Sequence, residues 1–325
     1  MVDIEKKIER RTFQHQTTAP FFPEIANKWL EYKRPNVRET TYENNKQVIE
    51  RHLAMFKDLK ISSITVTTIE VFFSYLQGTG LKLNTMRRII NTLNQIMGYA
   101  VRHKMIDSNP VRDAERPRKT IDDDGDQVIK VIPPDRIKGF LDAVEDHKYR
   151  MMFLMAVMTG ARQGEILGLR WSDIDFTKKQ IHISRTYNHG RFFSPKTKQS
   201  RRYVDLAPIV IKELRKWKLA SPSNEHDLIF PNDKGEPLTC NGYVHRPFHE
   251  AINKAGLPKM RFHDLRHTYA SLLISMGENI VYVQRQLGHA TPMMTLNVYS
   301  HLMKSENQET VKRLEKMVFS KGNKC

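Results

Sequence analysis

Across residues 21–111 apolar side chains recur every three to four positions, the period of helices that turn one face inward. Phe22, Ile25, Ala26 and Leu30 share a first face, and Tyr42, Val48, Ile49 and Leu53 a second. Residues 68–76 form a third helix, with Thr67 or Thr68 as its cap. The longest helix covers 84–101, with Ile89, Ile90, Leu93, Ile96 and Met97 inward and Arg87, Arg88, Arg102, His103 and Lys104 elsewhere. Asn109-Pro110 closes this segment, because the residue before a proline resists helical geometry. Residues 112–133 lack periodicity and carry prolines and the acidic run Asp122, Asp123, Asp124, as a linker would.

Helical spacing resumes at 134–144 and 149–158. After Trp171 the period falls towards two, which predicts short antiparallel strands at 173–176, 180–187, 191–194 and 202–206. Helices follow at 208–219 and 242–255. Beyond His263, Leu265, Tyr269, Leu272 and Leu273 predict a helix that stops at Gly277. Val281, Val283 and Leu287 predict a short one ending at Gly288. Pro292 permits a third, with Tyr299 near its end, and Leu302, Val311, Leu314 and Val318 mark a helical tail. The predicted fold is mainly α with a small antiparallel β-sheet, an α+β chain.

The length, 325 residues, leaves room for two domains, each burying its own core. Lys and Arg number 53 against 36 Asp and Glu, a formal charge of +17, which suggests a long polyanion as partner. Two cysteines, Cys240 and Cys325, make no disulfide framework or metal cluster. The longest apolar run, 151–158, is far too short to span a bilayer, so a soluble, intracellular protein is expected.

Chemistry concentrates in residues 261–302. His263 and Arg266 lie three apart at a helix start, where both side chains can meet an anion; His289 falls on a turn, and Tyr299 follows ten residues later. Upstream, residues 159–165 read TGARQGE, with Arg162 and Glu165. HxxR, LGH and the tyrosine in a YSHL context, preceded by this arginine box, resemble the signature boxes of the tyrosine recombinases, the phage integrase family. SPKTKQSRRY resembles the family's hairpin that carries a catalytic lysine. Lys196 matches best in motif position, and Lys198 stays open because residues two apart on a strand share a face.

The resemblance implies a helical core-binding domain at 20–111, a linker at 112–133 and a catalytic domain at 134–302. It also implies a tail at 303–325, packed on its own subunit or exchanged with a neighbour. Residues 1–19 are a polar lead-in, too short to resemble the arm-site domain that many such integrases carry. Tyr299 would attack a DNA phosphodiester, form a 3′-phosphotyrosyl link and expel a 5′-hydroxyl. Arg162 and Arg266 would hold the phosphate oxygens, with a further hydrogen bond from His289, and Glu165 would support the site. His263 would accept or relay the tyrosine proton, and Lys196 would protonate the leaving oxygen.

No cofactor is implied, and the sequence offers no carboxylate pair or His/Cys cluster for a metal. The implied partner is double-stranded DNA, bound by a homotetramer that is a monomer when free. Accessory directionality or bending proteins are further implied partners, and the place of action is the cytoplasm, at the nucleoid. Integration or excision of a mobile element is the favoured task. The alternatives are DNA relaxation of the type IB topoisomerase kind and a catalytically silent DNA-binding protein.

Overall fold

The computed structural model describes residues 19–117, 129–195, 198–239, 243–299 and 307–319. The chain divides into two compact units, Met1–Gln127 and Val128–Cys325, each with a core of its own.

In the first unit, helices α1 (Phe22–Lys33), α2 (Glu39–His52), α3 (Val66–Gly78) and α4 (Leu83–Arg102) form where the apolar period places them. Their inward faces meet around aromatic rings, with Phe56 5.2 Å from Phe22 and 5.0 Å from Phe72 between centroids. Each fully buried ring of this kind contributes on the order of 2 kcal/mol through lost contact with water. The outward basic residues Arg87, Arg88, Arg102, His103 and Lys104 are all exposed.

Two details differ from the expectation. The cap of α3 is Thr65, not Thr67 or Thr68: its hydroxyl accepts from the Thr68 N–H at 3.3 Å, while Thr68 Oγ1 accepts from the Thr65 N–H at 3.3 Å. This reciprocal pair starts the helix at Val66. Asn109-Pro110 also does not end the structure. Asn109 caps a short helix α5 (Pro110–Asp113), and Val111 and Ala114 pack into the first core. Proline suits such a first helical turn, where its missing N–H is not needed.

The second unit is built on α6 (Pro134–Asp142), α7 (His147–Thr159), α8 (Gln163–Leu167), α9 (Pro208–Ala220) and α10 (His245–Lys254). Three strands, β1 (Ile174–Asp175), β2 (Gln180–Ile183) and β5 (Arg202–Asp205), form an antiparallel sheet in the order β1-β2-β5. Strands β3 (Thr186–Asn188) and β4 (Arg191–Phe193) make a separate hairpin.

The expected strand 180–187 is therefore two strands in two sheets. Ser184 and Arg185 leave the ladder, and Arg185 turns to pair with Asp173. The helix expected from 242 begins at His245, and that expected to 144 ends at Asp142. Helix α7 is apolar on nearly every side, as a helix inside a core must be, with Met151, Met152, Phe153, Met155, Ala156 and Val157 all buried. Phe153 packs on Phe140, Phe248 and Phe262, which ties α7 to its neighbours.

The last helices, α11 (Asp264–Ser275), α12 (Ile280–Leu287) and α13 (Pro292–Tyr299), enclose a smaller cluster of Tyr269, Ala270, Ile274, Val283, Leu287 and Tyr299. The expected tail helix is α14 (Asn307–Phe319). Leu302 lies outside the described residues. Among the described residues no helix is long and apolar enough to cross a membrane.

Candidate active site

Four chain segments converge on the end of α7. Gly160 caps that helix in the left-handed conformation, φ +60°, and a Cβ there would lie 2.4 Å from the Tyr269 ring. Only glycine combines that backbone with that approach. Its carbonyl accepts from Arg266 Nη1 at 2.8 Å, and Arg266 Nη2 donates to the Leu287 carbonyl at 2.6 Å. Arg266, in the first turn of α11, is thereby fixed beside the turn that carries Arg162, two residues after Gly160. Burial, then repulsion from Arg162, pulls Arg266 down to about 9, still a cation at neutral pH.

Arg162 precedes α8 and is clamped by Glu165: its backbone N–H donates to Oε2 and its Nη1 to Oε1, each at 2.8 Å. The Arg162 side chain keeps 38% of its surface open, so the rest of the guanidinium can meet a ligand from solvent. Glu165 is buried and is shared with Arg202, whose Nη1 and Nη2 donate to it at 3.2 and 3.0 Å. Burial alone would raise the Glu165 carboxyl, yet the Arg202 and Arg162 guanidiniums outweigh it and hold the group at about 2. Arg202 Nε donates to the Gln286 carbonyl at 2.6 Å, next to the Leu287 carbonyl used by Arg266. The residues Arg162, Glu165, Arg202 and Arg266 therefore form one connected network.

His289 sits just beyond α12. Gly288 turns the chain there at φ +66°, and a Cβ on it would lie 2.9 Å from Arg202 Cδ and Nη1. His289 Nδ1 is 2.9 Å from Thr295 Oγ1, which leaves Nε2 as the nitrogen able to address a ligand. Loss of solvent, followed by Arg266 and Arg162, pulls His289 down to about 4. His263, immediately before α11, is also drawn down to about 4 by desolvation and then by His267, Arg266 and Arg162. The His263 residue is exposed at the mouth of this cluster of cations. Both histidines are neutral at pH 7.

Tyr299 ends α13 and is 2% exposed. Burial pushes its phenol up to about 12 against the pull of Arg266. The group that touches its hydroxyl is His267, with Nδ1 2.6 Å from the phenol oxygen, and not His263. The His263 and His267 rings stand 5.2 Å apart. Asp264 is paired with Arg261 at 2.9 Å, so four guanidiniums at 162, 202, 261 and 266 face two carboxylates, and the site carries excess positive charge. A fixed excess of guanidinium charge of this kind favours an anion.

The expected residues Arg162, Glu165, Arg266, His263, His289 and Tyr299 thus come from separate boxes into one region. Lys196 lies outside the described residues; Lys198 begins a 3-10 turn at Lys198–Ser200. Sequence reasoning missed Arg202 and His267. Arg202 alternates with Val204 on the inward face of β5, and an arginine on an apolar face requires a carboxylate partner. His267 lies four residues after His263, the cap of the same helix, a spacing that brings side chains together.

Residues 130–306 match the model of the phage integrase family, and residues 21–117 match that of the phage integrase SAM-like domain. The chain belongs to the phage integrase family. This recombinase is 27% identical over 336 residues to the ICEBs1 integrase of Bacillus subtilis (strain 168), across 98% of its own chain and 89% of the relative. Its fold is that of the Tn1549 transposon integrase in complex with circular intermediate DNA, at TM-score 0.75 and 21% identity, covering 89% of this chain and 99% of that one. The lambda integrase tetramer bound to a Holliday junction is similar at TM-score 0.66 and 19% identity, over 88% of this chain and 81% of that one. The protein is a site-specific recombinase of the tyrosine class, an enzyme that acts on DNA.

Proposed function

We propose that this recombinase integrates and excises a mobile element, cutting and rejoining double-stranded DNA at the site described above. The single observation that carries the reading is the shared anchoring of the two arginines, since Arg266 binds the carbonyl of Gly160 within the turn that presents Arg162. A phosphodiester seated between them has its non-bridging oxygens held by fixed cations, donors worth roughly 3 to 4 kcal/mol each in the transition state.

Tyr299 attacks the phosphorus, a 3′-phosphotyrosyl bond forms, and the bond to the 5′-oxygen breaks. His289 adds a hydrogen bond to a phosphate oxygen. His263 relays the phenol proton, and Lys196, or Lys198 in its place, gives a proton to the leaving oxygen. Attack by the 5′-hydroxyl of a second duplex reverses the step and reseals the strand, so the energy of the phosphodiester is kept.

Residues 20–111 would serve as the core-binding domain, 112–133 as linker and 134–302 as catalytic domain. Exchange between two duplexes needs four sites, and the similarity to the lambda integrase tetramer supports a homotetramer on DNA. Val311, Leu314 and Val318 expose an apolar stripe on α14, suited to packing on a neighbouring subunit. The place of action is the cytoplasm, with directionality or DNA-bending proteins selecting insertion or removal.

The test uses two plasmids, one carrying the joined DNA that flanks the coding gene and one carrying the empty site. Joint molecules should form only when both sites are present. Relaxation of any supercoiled plasmid without joint molecules would identify a type IB topoisomerase-like activity instead.

A further inference from the structure

The hydroxyl of Tyr299 is committed to one side chain. It lies 2.6 Å from His267 Nδ1, inside the cluster formed by α11, α12 and α13, and Tyr299 is almost completely buried. A 2.6 Å contact is at the short end for a hydroxyl hydrogen bond, and a buried hydroxyl left without a partner would be costly. His267 therefore sets where the phenol oxygen sits. Four residues earlier, at the cap that precedes the same helix, His263 is exposed, and its ring stands 5.2 Å from that of His267. The order from solvent inward is His263, His267, Tyr299.

Resting on the reading of Tyr299 as nucleophile, we propose that His267 both orients the phenol and is the first acceptor of its proton. As the Tyr299 oxygen bonds to phosphorus, its O–H bond breaks and the proton passes to His267 Nδ1. The electron pair of the breaking P–O bond leaves with the 5′-oxygen, which is protonated by a different group. His263, across the 5.2 Å ring contact, is placed to carry the proton onward to solvent.

The charges facing His267 suit the acceptor role. Burial lowers its proton affinity, Asp264 raises it, and Arg261 and Arg266 lower it. On α11 and the turn before it these are joined by His263, and from α13 the facing group is Tyr299 itself. The net effect is downward, so the ring is neutral and able to accept at neutral pH. Asp264 is the anion that steadies the imidazolium once formed.

The experiment measures single-turnover covalent attachment of the full chain. The probe is a nicked duplex carrying the cleavage position mapped with the unaltered protein, made with an ordinary phosphodiester or with sulfur in the 5′-bridging position. His267→Asn keeps a hydrogen-bonding atom near the Nδ1 position but cannot take a proton; His267→Ala loses both. Both variants should bind the duplex as the unaltered chain does and attach on the order of 10²- to 10⁴-fold more slowly at pH 7. The deficit of His267→Asn should shrink as pH rises, when hydroxide can take the proton. Sulfur should not rescue it, since a better leaving group relieves only the other side of the reaction.

Attachment at the unaltered rate by His267→Asn, or its full rescue by sulfur, would overturn the inference. Histidine-nitrogen NMR of the DNA-free protein provides a second readout: Tyr299→Phe should shift the His267 Nδ1 resonance, and an unmoved resonance would also overturn it. Covalent attachment by Tyr299→Phe would instead refute the nucleophile assignment on which the inference stands.

Discussion

Replacing Glu165 by Gln removes the buried negative charge that joins Arg162 to Arg202 while keeping the side chain's size. The folded protein holds this carboxyl at about 2 against an ordinary 4.5. Each tenfold change in proton affinity is worth about 1.4 kcal/mol, so the fall corresponds to about 3 kcal/mol of stability. Breaking a buried pair by neutralising one partner costs about 3 to 5 kcal/mol in other proteins, which agrees. Because the folded-state affinity is the lower one, the contribution is complete at neutral pH, begins to fade as pH falls through 4.5, and is gone below about 2.

For a unit of roughly 200 residues, 3 kcal/mol corresponds to a melting shift of about 6 to 12 °C. Scanning calorimetry of the full chain should show Glu165→Gln lowering the transition of the Val128–Cys325 unit by that amount at pH 7. At pH 3 the unaltered protein has itself lost about 2 kcal/mol, and the gap should narrow to about 1 kcal/mol. A shift below about 2 °C at pH 7, or an undiminished gap at pH 3, would refute the reasoning.

Arg162→Ala should slow covalent attachment to DNA by about 10²- to 10³-fold, the cost of one fixed donor. Duplex affinity, measured by gel shift, should stay within a few-fold, because most of it comes from phosphate contacts spread over a basic chain. Gly288→Ala places a methyl 2.9 Å from Arg202 on a backbone at φ +66°. It should destabilise the second unit by about 1 to 3 kcal/mol and slow cleavage through displaced Arg202 and His289, as read by melting and by the same attachment assay.

The helices were legible because their signal is local: Ile89, Ile90, Leu93, Ile96 and Met97 on α4 repeat with the helical period, and packing obeys it. Features that depend on a distant partner were not. Thr65 could be separated from Thr67 and Thr68 only by its reciprocal bonds with Thr68, since the three threonines are equally good caps by composition. The split of residues 180–187 depends on two different pairing partners, β5 for one half and β4 for the other.

At the site the signature boxes carried Arg162, His263, Arg266, His289 and Tyr299. Their spacing could not say which histidine meets the phenol, because that is decided by how α13 lies on α11. Arg202 was hidden among the basic residues of SPKTKQSRRY, the segment that resembles the family's lysine hairpin, and its role follows from burial beside Glu165, a neighbour 37 positions away.

The most direct measurement locates the covalent bond. Trapped protein–DNA complexes should be digested and analysed by mass spectrometry for the peptide that carries a nucleotide. Attachment at Tyr299 through the 3′-phosphate, lost entirely in Tyr299→Phe with DNA binding intact, is the expected result; a nucleotide on any other residue, or attachment that persists in Tyr299→Phe, would contradict it.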